Sequence, residues 1–214
     1  FEPVSKIINS KHFWKSEFFV NHDVLDPRPE SELIINEVLK NILDKNKKLK
    51  ILDIGTGSGC LAISLAKEFM NSFITAIDIS DNALKVARKN IFKHRCENQI
   101  KLIKTELYNI NDTFDVIVSN PPYIDDEEYK NLQIDILNFE PKIALLGGKN
   151  GLNFYKLFAK RIEKLMKNKS FFICEIGSGQ LGPLKTIFSK TNLTLKKITK
   201  DIQNIDRTLT FFKI

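Results

Sequence analysis

From residue 49 onward, short apolar runs alternate with stretches of helical period, and no other feature narrows the fold as far. "LKILDIG", "FITAID", "IKLIK", "FDVIVS" and "FFICEIG" read as buried strands. The intervening helices are expected at about Cys60 to Met70, around Leu84, Ala87 and Ile91, and at about Leu152 to Met166. A further helix precedes the first strand, with Ile34, Ile35, Val38, Leu39 and Ile42 on one face. Strands separated by helices need crossover connections, which build a largely parallel sheet covered on both sides. The tail breaks the rhythm: after a helix near Leu181 to Ser189, "LTLKKI" and "RTLTFFKI" follow with no helix between them. Two adjacent strands of that kind are expected to pair as an antiparallel edge. The fold class is therefore α/β, doubly wound and mostly parallel, seven-stranded if every run joins one sheet, with an antiparallel C-terminal edge.

No repeat, low-complexity block or Pro/Gly-rich linker divides residues 49–214, which read as one domain. Residues 1–48 read as a small appendage packed on it, with "FFV" as a short strand. No apolar run approaches the roughly 18 residues that span a bilayer. The opening "FEPVSKIINSKHFWKSEF" mixes charge with apolar residues, so no cleaved secretory segment is expected there. Cys60, Cys96 and Cys174 are odd in number and far apart, which points away from a disulfide framework and a zinc site and toward a reducing cytosol. His12, His22 and His94 read as surface residues. The net charge of +7 raises a nucleic-acid partner, but the lysines are scattered. Their one dense run, "DKNKKLK" at Asp44 to Lys50, reads as the solvated end of a helix.

Two turns carry chemistry. "DIGTGSG", Asp53 to Gly59, follows the first strand of the domain, where open α/β sheets bind ligands. Its glycines at 55, 57 and 59 permit positive φ and close approach of a ligand to the backbone. A dinucleotide fingerprint would need glycine at position 60, which is Cys60. Asp78 ends the next strand, where a carboxylate can accept both ribose hydroxyls of a nucleoside. The second turn, "SNPPYI", stops the "FDVIVS" strand with Pro121 and Pro122, which cannot donate to a sheet ladder. Asn120 offers a side-chain carbonyl and Pro121 a backbone one, and two fixed acceptors suit a planar NH2 group with two donors. Tyr123 can stack on the flat face of such a group.

"DIGTGSG", Asp78 and "NPPY" together resemble class I S-adenosylmethionine-dependent methyltransferases that alkylate planar NH2 nitrogens. With "EPVSKI", Phe13-Trp14, "LDPRPESE", "FEP", "ALLGGKNGL", "EIGSGQ" and "IDRTL", the chain is similar throughout to the release-factor glutamine methyltransferase family, HemK/PrmC. That resemblance implies a Rossmann-like fold and methyl transfer to the side-chain amide nitrogen (N5) of the Gly-Gly-Gln glutamine of peptide-chain release factors. It implies S-adenosylmethionine along Gly55, Thr56, Gly57, Ser58 and Gly59, its ribose on Asp78 and its adenine near Glu106 and Leu107, with Asn120 also touching it. It puts the substrate amide on Asn120, Pro121, Pro122 and Tyr123, with Asn120, Pro121 and Tyr123 as the catalytic set and no metal. The family usually has Asp at 106, an aromatic residue at 107 and Thr at 31, where this chain has Glu106, Leu107 and Ser31. Its helical N-terminal domain is expected to lie outside this sequence. The resemblance further implies a cytoplasmic monomer that binds neither membrane nor nucleic acid stably. Three alternatives stay open: a ribosomal-protein glutamine methyltransferase, a nucleic-acid adenine-N6 methyltransferase and a non-catalytic nucleoside-binding module. "IDDEEY" beside the second turn reads as an acidic helix N-terminus, suited to attract a basic loop and repel phosphates.

Overall fold

The computed structural model describes residues 2–214 and begins with α1 (Val4–Ile7) and a hairpin of β1 (Ser10–Phe13) and β2 (Ser16–Phe19). Then come α2 (Glu32–Asn41), β3 (Lys50–Ile54), α3 (Cys60–Glu68), β4 (Phe73–Asp78), α4 (Asp81–Lys93), β5 (Ile100–Lys104) and β6 (Phe114–Ser119). Two short helices, α5 (Asp126–Tyr129) and α6 (Ile134–Phe139), precede α7 (Asn153–Leu165). The chain closes with β7 (Met166–Glu175), α8 (Leu181–Phe188), β8 (Thr194–Lys200) and β9 (Asp206–Lys213).

Seven strands form one sheet in the order β5-β4-β3-β6-β7-β9-β8, parallel from β5 to β7 and antiparallel where β9 meets β7 and β8. The predicted α/β sheet with an antiparallel end is thus present. The edge itself is β8, because β9 inserts between it and β7. The side chains explain the order: Leu209 and Phe211 of β9 are fully buried, whereas Lys196, Lys197 and Lys200 of β8 suit an edge that must not pair further.

Period-2 alternation sends neighbouring residues to opposite faces. Val116 and Val118 of β6 join Ile51 and Ile74 against α2 and α3, while Ile117 joins Leu52 and Phe172 against α7 and α8. Each such side chain, fully buried, contributes about 1.5–3 kcal/mol. The β1–β2 hairpin takes part in the same core through Phe13 and Phe18. Asn90 of α4 braces it, accepting from Phe19 N (2.7 Å) and donating to Phe19 O (2.9 Å) and Ser58 O (2.8 Å).

Some boundaries move. α2 ends at Asn41, so the lysine run at 44–50 is a turn and strand entry rather than a helix end; Asp44 Oδ1 accepts from Asn46 N (2.9 Å) in a local Asx turn. His12 and His22 are exposed, but His94 is half-buried, bonded to Lys67 Nζ and Glu17 O. No helix among the described residues is long and apolar enough to cross a membrane. Because β3 pairs with β4 on one side and β6 on the other, the winding of the sheet reverses between β3 and β6. The carboxyl ends of β3, β4, β5 and β6 therefore meet at one crevice.

Candidate active site

The glycine loop leaves β3 with Gly55 at φ 71° and Gly57 at φ 54°, left-handed values that L side chains rarely adopt. A Cβ placed on Gly55 would meet nothing within 4 Å, and one on Gly57 only the Gly55 carbonyl at 4.0 Å. Both faces are thus open to a ligand. Gly59 does not line the crevice: a Cβ there would meet Ala87 Cβ and Ile63 Cδ1 at an ordinary 3.4 Å, and it is the left-handed φ of 81° at the start of α3 that calls for glycine. The loop is tied down by Gly55 N and Thr56 N, which donate to Ile77 O (2.9 and 3.0 Å). Asp78 accepts from Gly57 N (3.0 Å) and Ser80 N (2.9 Å), one per oxygen, which leaves each oxygen a lone pair for a hydroxyl donor.

Beneath the loop, Asp53 is fully buried and accepts from Thr56 Oγ1 at 2.6 Å; its other oxygen has no partner among the described residues. Burial pushes its carboxyl up to about 7, with the charge of Asp78 adding to the shift against the Thr56 hydrogen bond.

At the end of β6, Asn120 donates Nδ2 to Ser31 Oγ (2.8 Å), and neither its Oδ1 nor the Pro121 carbonyl accepts a hydrogen bond among the described residues. Ser31 Oγ donates to Glu175 Oε2 (2.5 Å) and Tyr123 Oη to Glu175 Oε1 (3.1 Å). Tyr155 Oη holds the Glu175 backbone carbonyl at 2.9 Å. Burial raises the Glu175 carboxyl to about 7 against the two hydroxyl donors. Burial likewise lifts the Tyr123 phenol far above its ordinary value, so Tyr123 stays a donor. Tyr123 packs behind the turn rather than on the crevice wall.

The turn is clamped by backbone as well. Gln180 donates to Tyr123 O (2.9 Å) and accepts from Gly177 N (2.9 Å). Ile124 N donates to Leu145 O (2.9 Å) and Gly147 N to Ile124 O (2.8 Å). A Cβ on Gly147 would sit 2.8 Å from Pro122 O, and one on Gly151 1.9 Å from Tyr123 O, so these glycines are what let the chain press against Pro122 and Tyr123. "ALLGGKNGL" and "EIGSGQ" are therefore the two sides of a vice around Pro122–Ile124.

The crevice has a volume of about 330 Å³, within the range of small-molecule sites. Gly55, Thr56, Gly57, Ser58, Asp78, Glu106, Leu107, Asn120, Pro121 and Pro122 line it; of the expected site residues only Gly59 and Tyr123 do not. Glu106 is exposed at its rim and Leu107 is 4% exposed in the core beneath. Ile79, Tyr108, Phe154 and Leu157 complete an apolar wall that sequence reasoning missed. Position could have flagged Ile79, directly after the strand-end acid, whereas Phe154 and Leu157 look like ordinary core residues of a helix. An open glycine loop, a strand-end carboxylate and an apolar slot suit a nucleoside with an amino-acid tail.

One wall depends on a buried ion cluster. Lys6 Nζ lies 2.8 Å from Asp26 Oδ1 and 3.1 Å from Glu140 Oε2, and donates to Asn21 O and Val24 O (3.0 and 2.7 Å). Ser5 donates to Asp26, and Arg28 pairs with Glu140 at 2.8 Å. The cluster joins "EPVSKI", "LDPRPESE" and "FEP", three segments distant in sequence, and holds Arg28 and Pro141 beside the crevice. Removing one partner would strand buried charge.

The family model "Methyltransferase small domain" matches residues 31–142. The bifunctional methyltransferase of Rickettsia prowazekii is 37% identical over 227 residues, covering 97% of this chain and 44% of that protein, so the chain spans less than half of such relatives. The release factor glutamine methyltransferase of Francisella tularensis is 38% identical over 208 residues, covering 96% of this chain and 72% of that one. Among solved structures, a ribosomal protein L11 methylase from Lactobacillus delbrueckii superposes with a TM-score of 0.60 at 21% identity, over 86% of this chain and 77% of that one, a likeness of fold.

Proposed function

Since the chain belongs to the release factor glutamine methyltransferase family, we propose that it transfers a methyl group from S-adenosylmethionine to the side-chain amide nitrogen of a glutamine in a peptide-chain release factor. The observation that carries this reading is the pair of free acceptors, Asn120 Oδ1 and Pro121 O, on a turn clamped from both sides and facing the crevice. Bound at the glycine loop, S-adenosylmethionine supplies a methyl group on a sulfonium already activated for displacement. Asp78 takes the ribose hydroxyls on its remaining lone pairs, while Ile79 and Leu107 hold the base.

Amide nitrogen is a poor nucleophile because its lone pair is delocalised. Asn120 Oδ1 and Pro121 O take its two N–H groups and fix the nitrogen on the line of attack, an orientation that can be worth about 7–11 kcal/mol of the barrier. The same two carbonyl dipoles face the positive charge that grows on nitrogen, the Pro121 carbonyl set by the clamped turn and the Asn120 carboxamide by its bond to Ser31 Oγ. Phe154 and Leu157 give the crevice an apolar wall that disfavours water there. The alkylated amide loses its extra proton readily, so no strong base is required.

The partner is proposed from the acidic rim. Asp125 caps α5 through Glu127 N (2.8 Å) and also accepts from Asn150 N (2.6 Å), while Asp126, Glu127 and Glu128 are exposed beside the turn. Such a rim repels phosphates and attracts a basic loop. A cytoplasmic monomer that does not bind nucleic acid stably fits this reading. Labelled methyl transfer to a release factor, a ribosomal protein, RNA and DNA, side by side, tests it. Label is expected on the release factor's glutamine, falling as salt rises; label on nucleic acid alone would refute the assignment.

A further inference from the structure

Asn120 has two ends of nearly equal shape, and only one helps an incoming NH2 group. With Oδ1 toward the crevice it accepts; turned over, it presents donors to a donor. What chooses the end is the direction of the protons behind it. Glu175 sits in the sheet with no exposed oxygen and receives two O–H donors, Ser31 (2.5 Å) and Tyr123 (3.1 Å). Ser31, its proton given to Glu175, can only accept from Asn120, at 2.8 Å.

We propose that Glu175 and Ser31 are positioning residues: the ionised Glu175 carboxylate directs the Ser31 hydroxyl, which directs the Asn120 carboxamide so that its oxygen faces the substrate amide. This inference rests on the methyl-transfer reading of the same turn. Its consequence is a built-in dependence on one proton. A proton on Glu175 Oε2 makes that oxygen a donor to Ser31; Ser31 then donates to Asn120, and the carboxamide turns its NH2 toward the crevice. No other side chain need move.

The groups facing Glu175 are Ser31 and Glu30 from the segment before α2, Tyr123 from the turn, Tyr155 from α7, its neighbour Cys174 and Arg207 from β9. Arg207 is anchored to Asp201 at 2.8 Å, which leaves Glu175 without a dedicated cation. Cys174 and Tyr155 are held neutral by burial. Glu175 is therefore the member of the cluster whose charge changes near neutrality, at about 7.

Two readouts on the full chain test this. The first is kcat for methylation of a release factor as a function of pH. Wild type should rise through a midpoint near 7 and level off. Ser31→Ala should lose about tenfold on the plateau and become flat with pH. Ser31→Thr, which keeps the hydroxyl, should behave as wild type, and Glu175→Gln should be lowered and flat. S-adenosylhomocysteine affinity by calorimetry should stay within about threefold in all of them, which also reports that they fold.

The second readout needs no substrate. The Asn120 side-chain NH2 resonances, identified by their loss in Asn120→Ala, should titrate with the same midpoint in wild type and not in Glu175→Gln. If wild type methylates no release factor while that titration is present, the partner reading fails and the relay stands. Ser31→Ala with wild-type kcat and an unchanged pH profile, or Asn120 resonances indifferent to Glu175→Gln, would overturn the relay.

Discussion

At the crevice, burial lifts the carboxyls of Asp53 and Glu175 to about 7, whereas at the far end of α3 the carboxyl of Glu68 is held down to about 2. All three are nearly inaccessible to water. Burial raises Glu68 too, but Lys15 Nζ (2.5 Å), Lys45 Nζ (2.6 Å) and Trp14 Nε1 (2.9 Å) outweigh it. Asp53 has a single hydroxyl donor and Glu175 two, all neutral. Glu68 thus serves as a brace that fastens the β1–β2 turn and the loop after α2 to α3. The crevice acids are instead held short of compensation, which costs stability and leaves them responsive to protons.

The signs in pH follow. Glu68 titrates in the fold below its ordinary value of 4.5, so its contribution to stability is present above about 4.5 and is lost as pH falls toward 2. Asp53 and Glu175 titrate in the fold above their ordinary values of 3.8 and 4.5. Their cost is absent at low pH, grows through the interval and is complete above about 7.

The largest effect expected at the crevice comes from Asn120→Ala, which should lower methyl transfer by at least about 10²-fold while S-adenosylhomocysteine affinity stays within about tenfold. Steady-state kinetics and calorimetry separate the two; near-native turnover would reduce the turn to a structural device. Asp78→Ala should weaken cofactor binding by about 1–3 kcal/mol, read by calorimetry, because it removes a charged acceptor of both ligand and loop.

On the other side of the comparison, Glu68→Ala should leave kcat unchanged and lower unfolding free energy by about 1–3 kcal/mol near neutrality, less if the exposed lysines are well screened. That loss should shrink in acid, as chemical denaturation across pH would detect. The smallest effect sharpens the contrast: Asp53→Asn, which keeps an acceptor for Thr56, should raise the melting temperature above about pH 7 and converge with wild type near pH 4. Equal shifts at both pH values would mean that Asp53 is not held against its ordinary value.

The alternation of apolar runs and helices was enough to read the parallel sheet and both site turns, because period and turn chemistry are local properties. Strand order was not legible: that β9 lies between β7 and β8 depends on Leu209 and Phe211 finding α7 and α8 across the sheet. Glu175 is the one acid of the run "FFICEIG", and nothing nearby in sequence marks Ser31 and Tyr123 as its partners. Lys6, Asp26 and Glu140 likewise belong to three motifs that explain one another only once folded. Gly59 and Tyr123 lie outside the crevice lining, Gly59 at φ 81° where α3 begins and Tyr123 with its hydroxyl on Glu175.

The contrast between the two regions is measured most directly by titrating the carboxyl carbons of Asp53, Glu68 and Glu175 by NMR over the pH range in which the protein stays folded. Asp53 and Glu175 should titrate near 7, with the Asn120 side-chain amide following Glu175, while Glu68 should stay ionised down to about 2. A Glu175 midpoint near its ordinary 4.5, with Asn120 indifferent to it, would contradict both the proton-directed turn and the division of the molecule into a compensated brace and an uncompensated site.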